Sequence, residues 1–294
     1  RHLRQDALHG TEIVDATARL CVMNLYLHGI GHQSERSPIH VDDSLANKPG
    51  TTHDLVLTNP PFGKKSSVTF ITEEGEVKRE AQTIVRDDFW TSTSNKQLNF
   101  VQHVHKLLKI HGRAAVVVPD NVLFEGGAGE AVRRKLLAES DLHTILRLPT
   151  GIFYAQGVKA NVLFFDRKPG RERPWTERVW FYDYRTNVHH TLKQNPLTRA
   201  DLDEFVTCFH TANRHERAAT WRDDAPDGRW RSYTVDDILA RDKVNLDIFW
   251  LRDDALAGGD GLPDPGLIAA EIVEDLEAAL EQFRLVAKVP GPRD

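Results

Sequence analysis

The chain has 294 residues, 40% of them apolar and 28% charged, which is typical of a folded globular protein with a sizeable core. No apolar run reaches 18 residues and no signal peptide is recognisable, so we expect a cytoplasmic protein without membrane association. The net charge of −5 argues against a wide basic face with which this chain alone would bind a nucleic acid. The two cysteines and 14 histidines show no ligand spacing, and we predict no metal.

The first fifth of the chain predicts an α/β arrangement. Asp15 is interpreted as the cap of a helix with apolar residues at helical spacing, at Ala18, Val22 and Leu25. Three short apolar runs predict strands, the third of them buried, at 8–13, 39–41 and 55–57. This succession indicates a parallel sheet with crossover helices.

Acidic residues stand where the first two predicted strands end, namely Glu12 and Asp43. Ligands of doubly wound sheets bind outside the carboxyl ends of the strands. A carboxylate at that place commonly accepts hydrogen bonds from ribose hydroxyls or from an amino group. Asp42 is the alternative to Asp43, and either acid taken alone would more often be an ordinary solvated carboxylate.

The third strand stops abruptly at the sequence Asn-Pro-Pro-Phe, residues 59–62. Pro60 and Pro61 fix φ and lack N–H groups, so they make a stiff loop that cannot continue a ladder. Asn59 Oδ1 and the Pro60 carbonyl are two acceptors suited to the hydrogens of a planar exocyclic amine such as adenine N6. Phe62 is suited to stack on the base, a contact worth about 1–3 kcal/mol. The alternative is a plain Asn-Pro surface turn.

The middle of the chain is predicted from its apolar runs. Residues 63–95 form a long polar loop anchored at its far end by Phe89 and Trp90. A helix over 98–110 ends at Gly112, before a buried strand over 113–118. The glycine-rich stretch 124–130 is interpreted as a packing turn, with a phosphate contact as the alternative. Further strands are predicted at 142–148, 160–165 and 179–184, and a helix at 197–209.

The last predicted helix, over 265–289, carries apolar residues in alternating steps of three and four. We interpret this seam as a contact with a helix outside the domain, and docking on its own domain is the alternative. Residues 167–174 form a charged break. The resulting division is a catalytic domain over 1–168, an α+β extension over 169–264 and a partner-contacting helix over 265–294.

Several segments together resemble the modification subunit of type I restriction–modification systems. They are the Asn-Pro-Pro-Phe motif and the stretches 8–13, 18–30, 93–101 and 151–157, and the resemblance runs over nearly the whole chain. It implies a Rossmann-like sheet with a terminal antiparallel hairpin and a C-terminal helical extension. It also implies transfer of a methyl group from S-adenosylmethionine to adenine N6 of a flipped base in DNA. The implied partners are a DNA-specificity subunit, a restriction endonuclease subunit and a second modification subunit.

The resemblance assigns roles to individual residues. Glu12 corresponds to the acid that holds the cofactor ribose, and Asp43 to the residue beside the cofactor adenine. Residues 59–62 correspond to the catalytic loop, and the long segment after it to a DNA-facing flap, with a disordered insertion as the alternative. Phe153 corresponds to an aromatic residue lining the target-base pocket, although a core position in the hairpin connection is the other interpretation.

One departure from the family is serious, because its glycine-rich cofactor turn is absent from these 294 residues. We therefore expect the C-terminal part of a longer subunit, with a sheet that is incomplete at the N-terminus, and we expect this part to be inactive alone. A gap is expected between the first strand and the strand at 55–57. Other interpretations are a methyltransferase acting on a protein glutamine or on guanine N2 of ribosomal RNA, and a non-catalytic partner-binding fragment.

Overall fold

The structure is a computed structural model that describes His2 and residues 6–31, 37–62, 67–71, 77–81, 83–153, 157–171 and 173–253. For 67–71 and 77–81 it describes the backbone alone. The predicted C-terminal helix, and with it the predicted partner contact, lies outside the described residues.

The chain begins with a two-stranded parallel sheet joined by a helix. Strand β1 (Gly10–Glu12) pairs with β2 (Ile39–Val41), and helix α1 (Asp15–Leu27) connects them, so all three predicted elements are confirmed. The predicted cap is wrong: the N-cap residue is Val14, and Asp15 is the first helical residue. The carboxylate of Asp15 instead forms an ion pair with Arg19 one turn later, at 2.5 Å.

The remaining elements build a six-stranded sheet and a hairpin. Their order along the chain is β3 (His53–Thr58), β4 (Ser67–Ile71), β5 (Val77–Ala81), α2 (Lys96–Leu107), β6 (Leu108–Pro119), α3 (Asn121–Phe124), α4 (Ala128–Glu139), β7 (Ser140–Leu148), β8 (Ala160–Arg167), β9 (Arg178–Asp183), α5 (Asp203–Phe209), β10 (Trp230–Thr234) and α6 (Val235–Leu239). The large sheet has the order β10-β9-β7-β8-β6-β3, and β3 runs parallel to β6. The predicted α/β class is confirmed, and β7 and β8 are neighbours as predicted.

Strand β3 is the edge of the large sheet, while β1 and β2 form a sheet of their own. The predicted interruption between the first strand and β3 is therefore present in the described part of the chain. The prediction that β3 is buried is wrong, because Leu55 and Leu57 are 50% and 69% exposed. An apolar run alone does not distinguish an edge strand from a central one.

The junction of α2 and β6 differs from its prediction. Strand β6 starts at Leu108, immediately after the helix, and Gly112 lies inside it rather than ending the helix. The ladder shifts here, since His53 pairs with Leu108 but Leu55 pairs with Arg113. A Cβ atom on Gly112 would stand 3.0 Å from the carbonyl oxygens of His53 and Lys109, so this irregularity favours glycine.

The polar stretch 63–95 is more ordered than predicted, because β4 and β5 form an antiparallel hairpin within it. The predicted anchor at its far end is confirmed. Phe89 is buried beneath the guanidinium of Arg86, 4.0 Å from the ring centroid. The indole of Trp90 donates to the Glu139 carboxylate at 2.9 Å.

The described residues divide into two compact units: those within 1–145, 161–180 and 233–247 form the first, and those within 146–160, 181–232 and 248–253 form the second. In the first unit, α2 packs on β3 and β6 and also contacts α4. The second has an aromatic core of Tyr182, Phe205 and Trp230. The helix predicted over 197–209 is shorter, a 3₁₀ turn Ala200–Leu202 followed by α5. The functional boundaries at 168 and 264 stay predictions.

Candidate functional site

Residues 59–62 form a loop directly at the carboxyl end of β3. Pairing with β6 continues to Thr58, which lies opposite Val116, and the two prolines then end the ladder. Pro60 is buried and Phe62 half-buried, whereas Asn59 is exposed. The Asn59 amide is therefore exposed, while the next residue, Pro60, is anchored in the protein interior.

The far end of the loop is fixed to helix α2. Gln97, in the first turn of α2, donates from Nε2 to the Phe62 carbonyl at 2.8 Å. The helix begins there because Asn95 is its N-cap, with Oδ1 accepting from the backbone N–H groups of Gln97 and Leu98.

A polar cluster extends from this contact to the turn after β6. Asn121 donates to Gln97 Oε1 at 2.8 Å and to the Glu125 carboxylate at 3.1 Å. Asn95 donates to the same Glu125 oxygen at 2.7 Å. Sequence reasoning missed these four residues, since side chains 24–30 positions apart leave no local pattern. Two signals were available: Asn95 stands where a helix starts, and the family-like stretch 93–101 contains both Asn95 and Gln97.

The two predicted cofactor carboxylates lie at one end of the small sheet. Glu12 is the last residue of β1, opposite Val41, and Asp43 follows β2 by two residues. Glu12 Oε1 accepts from the Val14 N–H at 2.8 Å, and Asp43 Oδ1 from the Leu45 N–H at 2.9 Å. A carboxylate has about four acceptor sites, so both retain acceptor capacity for a ligand.

The turn that carries Asp43 is anchored by a buried leucine and by a hydrogen bond from Arg86. Leu45 is buried, and Arg86 donates to the Ser44 carbonyl at 3.4 Å while it pairs with Asp88 at 2.7 Å. Arg86 also lies 3.0 Å from Nδ1 of His103. Burial, and secondly the Arg86 charge, lower the pKa of His103 to about 4, so its ring is neutral at pH 7 and its Nδ1 accepts from Arg86.

Phe153 lines a cavity of about 380 Å³ in the second unit, together with Leu148, Ile152, Thr191, Leu192, Pro196 and Leu197. The lining is almost wholly apolar. Gly151 precedes two of the lining residues; its φ is +82°, and a Cβ atom there would stand 1.7 Å from the His190 carbonyl oxygen. Only glycine fits this position.

The glycine-rich stretch agrees with the packing-turn interpretation. Gly127 has a φ of +58°, and Arg133 reaches back into the turn from α4 to donate to the Glu125 carbonyl at 2.7 Å. Within the ranges that the structure describes, no group of three or more His, Cys, Asp or Glu side chains is placed to hold a metal. Likewise, no described helix is long and apolar enough to cross a membrane.

The fold is an α/β arrangement in which Glu12 and Asp43 lie at the carboxyl ends of two parallel strands, and the amide-bearing proline loop lies at the carboxyl end of a third strand that is parallel to β6. The chain belongs to the N-6 DNA methylase family, whose model matches residues 1–248.

Individual relatives agree with this assignment. The chain is 38% identical, over 98% of its length, to the type I restriction enzyme StySPI methylase subunit of Salmonella potsdam and to the EcoKI methylase subunit of Escherichia coli K12. It spans 57% of the length of each. The crystal structure of the EcoKI M protein superposes with a TM-score of 0.72 at 35% identity, covering 98% of this chain and 61% of that one. A modification subunit of a putative type I restriction enzyme from Vibrio vulnificus YJ016 gives a TM-score of 0.63 at 27% identity, covering 84% and 48%.

Proposed function

We propose that this chain carries the catalytic loop of a type I DNA methyltransferase subunit that modifies adenine N6 in a flipped base. The observation that carries the proposal is the Asn59–Phe62 loop, set at the end of β3 and hydrogen-bonded to α2 at Phe62. Membership of the N-6 DNA methylase family supports the same substrate atom.

The work of the loop is orientation and charge stabilisation. The lone pair of adenine N6 is delocalised into the ring, so the nitrogen is a poor nucleophile. Asn59 Oδ1 and the Pro60 carbonyl accept its two hydrogens, which draws the nitrogen toward a tetrahedral shape and offsets the positive charge that develops on it. The methylated ammonium is acidic enough to lose its proton without a strong base.

Glu12 and Asp43 are proposed to hold the cofactor, S-adenosylmethionine. Both carboxylates lie at the carboxyl end of parallel strands with acceptor sites remaining, which fits ribose hydroxyls for Glu12 and an adenine amino group for Asp43. Asp42 stays the alternative to Asp43. When bound, the cofactor supplies the methyl group.

The target adenine must leave the duplex, which costs a few kcal/mol of unstacking and unpairing. Phe62 is proposed to stack on the extruded base. Phe153, which lines the apolar cavity, is proposed to form an aromatic wall of the target-base pocket.

Much of the DNA-backbone contact is proposed to come from other subunits, because the net charge of this chain is −5. The proposed partners are a DNA-specificity subunit, a restriction endonuclease subunit and a second modification subunit, with the helix over 265–289 as one contact. The proposed domains are 1–168 for catalysis, 169–264 as an extension and 265–294 for partners.

The function is tested by a methylation assay with this chain carried in a full-length modification subunit that supplies the glycine-rich turn, assembled with the other type I subunits. Duplex DNA, ribosomal RNA and a release factor are offered in parallel with radiolabelled cofactor. We expect label in DNA alone, as N6-methyladenine. Label in a protein glutamine or in guanine N2 of the RNA would contradict the proposal.

Replacement of Phe62 by alanine tests the stacking role. We expect Phe62→Ala to weaken binding to DNA with an abasic or mismatched partner opposite the target by about 1–3 kcal/mol, and to weaken binding to fully paired DNA much less. A fluorescent base analogue at the target reports extrusion directly. Equal losses on both duplexes would mean that Phe62 only packs in the protein.

The chain alone is expected to bind S-adenosylmethionine poorly. Glu12 and Asp43 orient the ribose and adenine, but the family's glycine-rich turn, which shapes the methionine end, is not among the 294 residues. Titration calorimetry should therefore show no binding near a Kd of about 1 μM, the equivalent of about −8 kcal/mol. The EcoKI methylase subunit serves as the positive control, and micromolar binding by the isolated chain would refute the expectation.

A further inference from the structure

The Asn59–Phe62 loop is held at its far end by a side chain of helix α2. Its two prolines carry no N–H, and its ladder with β6 ends at Thr58. At the opposite end, the hydrogen bond from Gln97 Nε2 holds the Phe62 carbonyl at 2.8 Å. The groups that fix the Gln97 amide therefore contribute to the position of Asn59 and Pro60, together with the burial of Pro60.

The orientation of the Gln97 amide is determined by its partners. The side chain is only 4% exposed, with Nε2 facing the Phe62 carbonyl and Oε1 facing the Asn121 amide nitrogen at 2.8 Å. Turning the amide over would set oxygen against oxygen and NH₂ against NH₂. Only one orientation is satisfied.

The supporting hydrogen bonds form a closed ring. Asn121 and Asn95 both donate to Glu125 Oε2, at 3.1 and 2.7 Å, and Asn95 Oδ1 accepts from the backbone N–H of Gln97 at 3.0 Å. The ring joins the start of α2 to the turn after β6. A closed polar network of this kind restricts the movement of every member.

We propose that Gln97 is a positioning residue for methyl transfer: through the Phe62 carbonyl it holds Asn59 Oδ1 and the Pro60 carbonyl in the geometry that adenine N6 needs. This inference rests on the proposed function of the loop. Gln97 touches neither substrate nor cofactor in this role, so its loss lowers the rate of the chemical step rather than cofactor affinity.

The test is Gln97→Glu in the assembled methyltransferase. The carboxylate keeps the size of the side chain and the acceptor for Asn121, but it has no N–H to donate to the Phe62 carbonyl. The matched control is Gln102→Glu, on the same helix. Gln102 is fully buried, and its amide likewise bridges a backbone segment, donating to the Thr91 carbonyl at 3.1 Å and accepting from the Thr91 N–H at 3.0 Å.

We expect Gln97→Glu to lower kcat by about 10- to 100-fold relative to Gln102→Glu, since small misplacements of reacting groups cost that much. KM for S-adenosylmethionine should stay near the parent value, and both variants should lose similar thermal stability. A kcat equal to that of Gln102→Glu overturns the proposal, and so does a raised KM with kcat unchanged.

If Gln97→Glu does not fold, Asn121→Ala decides the question. It removes the donor that orients the Gln97 amide and lies at a half-buried position, and a lower kcat is again expected. An unchanged kcat in that variant overturns the proposal. A parent assembly that does not methylate adenine at all would refute the proposed function itself, whereas an active parent with unaffected variants refutes only the role of Gln97.

Discussion

Asn59→Ala is expected to reduce methyl transfer by about 10²- to 10³-fold in the assembled enzyme, the usual cost of removing one preorganised group that meets developing charge. Asn59 is exposed at the end of β3, so the substitution removes an acceptor without opening a cavity. Affinity for the cofactor should change little, because the residues proposed to hold it lie at the ends of β1 and β2. Single-turnover rates and calorimetric cofactor affinity measure the two quantities.

Asn59→Asp is the informative companion. Its carboxylate retains an acceptor oxygen at the same place, so it should keep more activity than the alanine variant. Asn24→Ala is the control for effects of losing any exposed amide, because Asn24 is an exposed asparagine on α1 rather than in the loop. Near-normal turnover of Asn59→Ala would remove the catalytic role from this loop.

The sequence was sufficient for features that depend on local pattern. The strands at β1, β2 and β3 follow from short apolar runs, and the stop after Thr58 follows from two residues that cannot donate. The position of Glu12 and Asp43 at one end of a sheet follows from the parallel order of their strands. The catalytic and cofactor roles themselves stay predictions.

Features that depend on distant parts of the chain were not predictable. The apolar run of β3 looks like a core strand, but its place at the sheet edge depends on which strands lie beside it. The closed ring of hydrogen bonds around Gln97 was likewise not predictable from the sequence, because its members come from the start of α2 and from the turn after β6. In the sequence each member of this ring is an ordinary polar residue, and only the fold brings the members into contact.

The burial of Arg133 depends on the fold, but part of it is indicated by the spacing of residues along α4. Three adjacent basic residues, 133–135, indicate a solvated helix face, yet Arg133 is 1% exposed. It falls at the spacing of the buried face of α4, with Val132, Leu136 and Leu137. Its helical spacing matches the buried face of α4, whereas its charge alone favours a solvated position.

The burial of Arg133 gives the largest stability effect that we predict. Its guanidinium donates to four backbone carbonyls, those of Val122 at 2.9 Å, Glu125 at 2.7 Å, Lys243 at 2.7 Å and Val244 at 3.0 Å. Burial lowers its pKa to about 10, so the side chain remains charged at neutral pH. One residue therefore ties the turn that carries Glu125 to the segment around residue 243.

Arg133→Leu is expected to lower the free energy of unfolding by about 3–5 kcal/mol, because it leaves these buried carbonyls without their donor while it keeps an apolar stem on α4. Urea denaturation of the purified chain, followed by circular dichroism, measures the change. Arg134→Leu is the matched control on the next position, where an ion pair with Glu130 at 2.8 Å is half exposed and should contribute less than about 1 kcal/mol. Equal effects of the two substitutions would show that the four carbonyl bonds do not hold this turn.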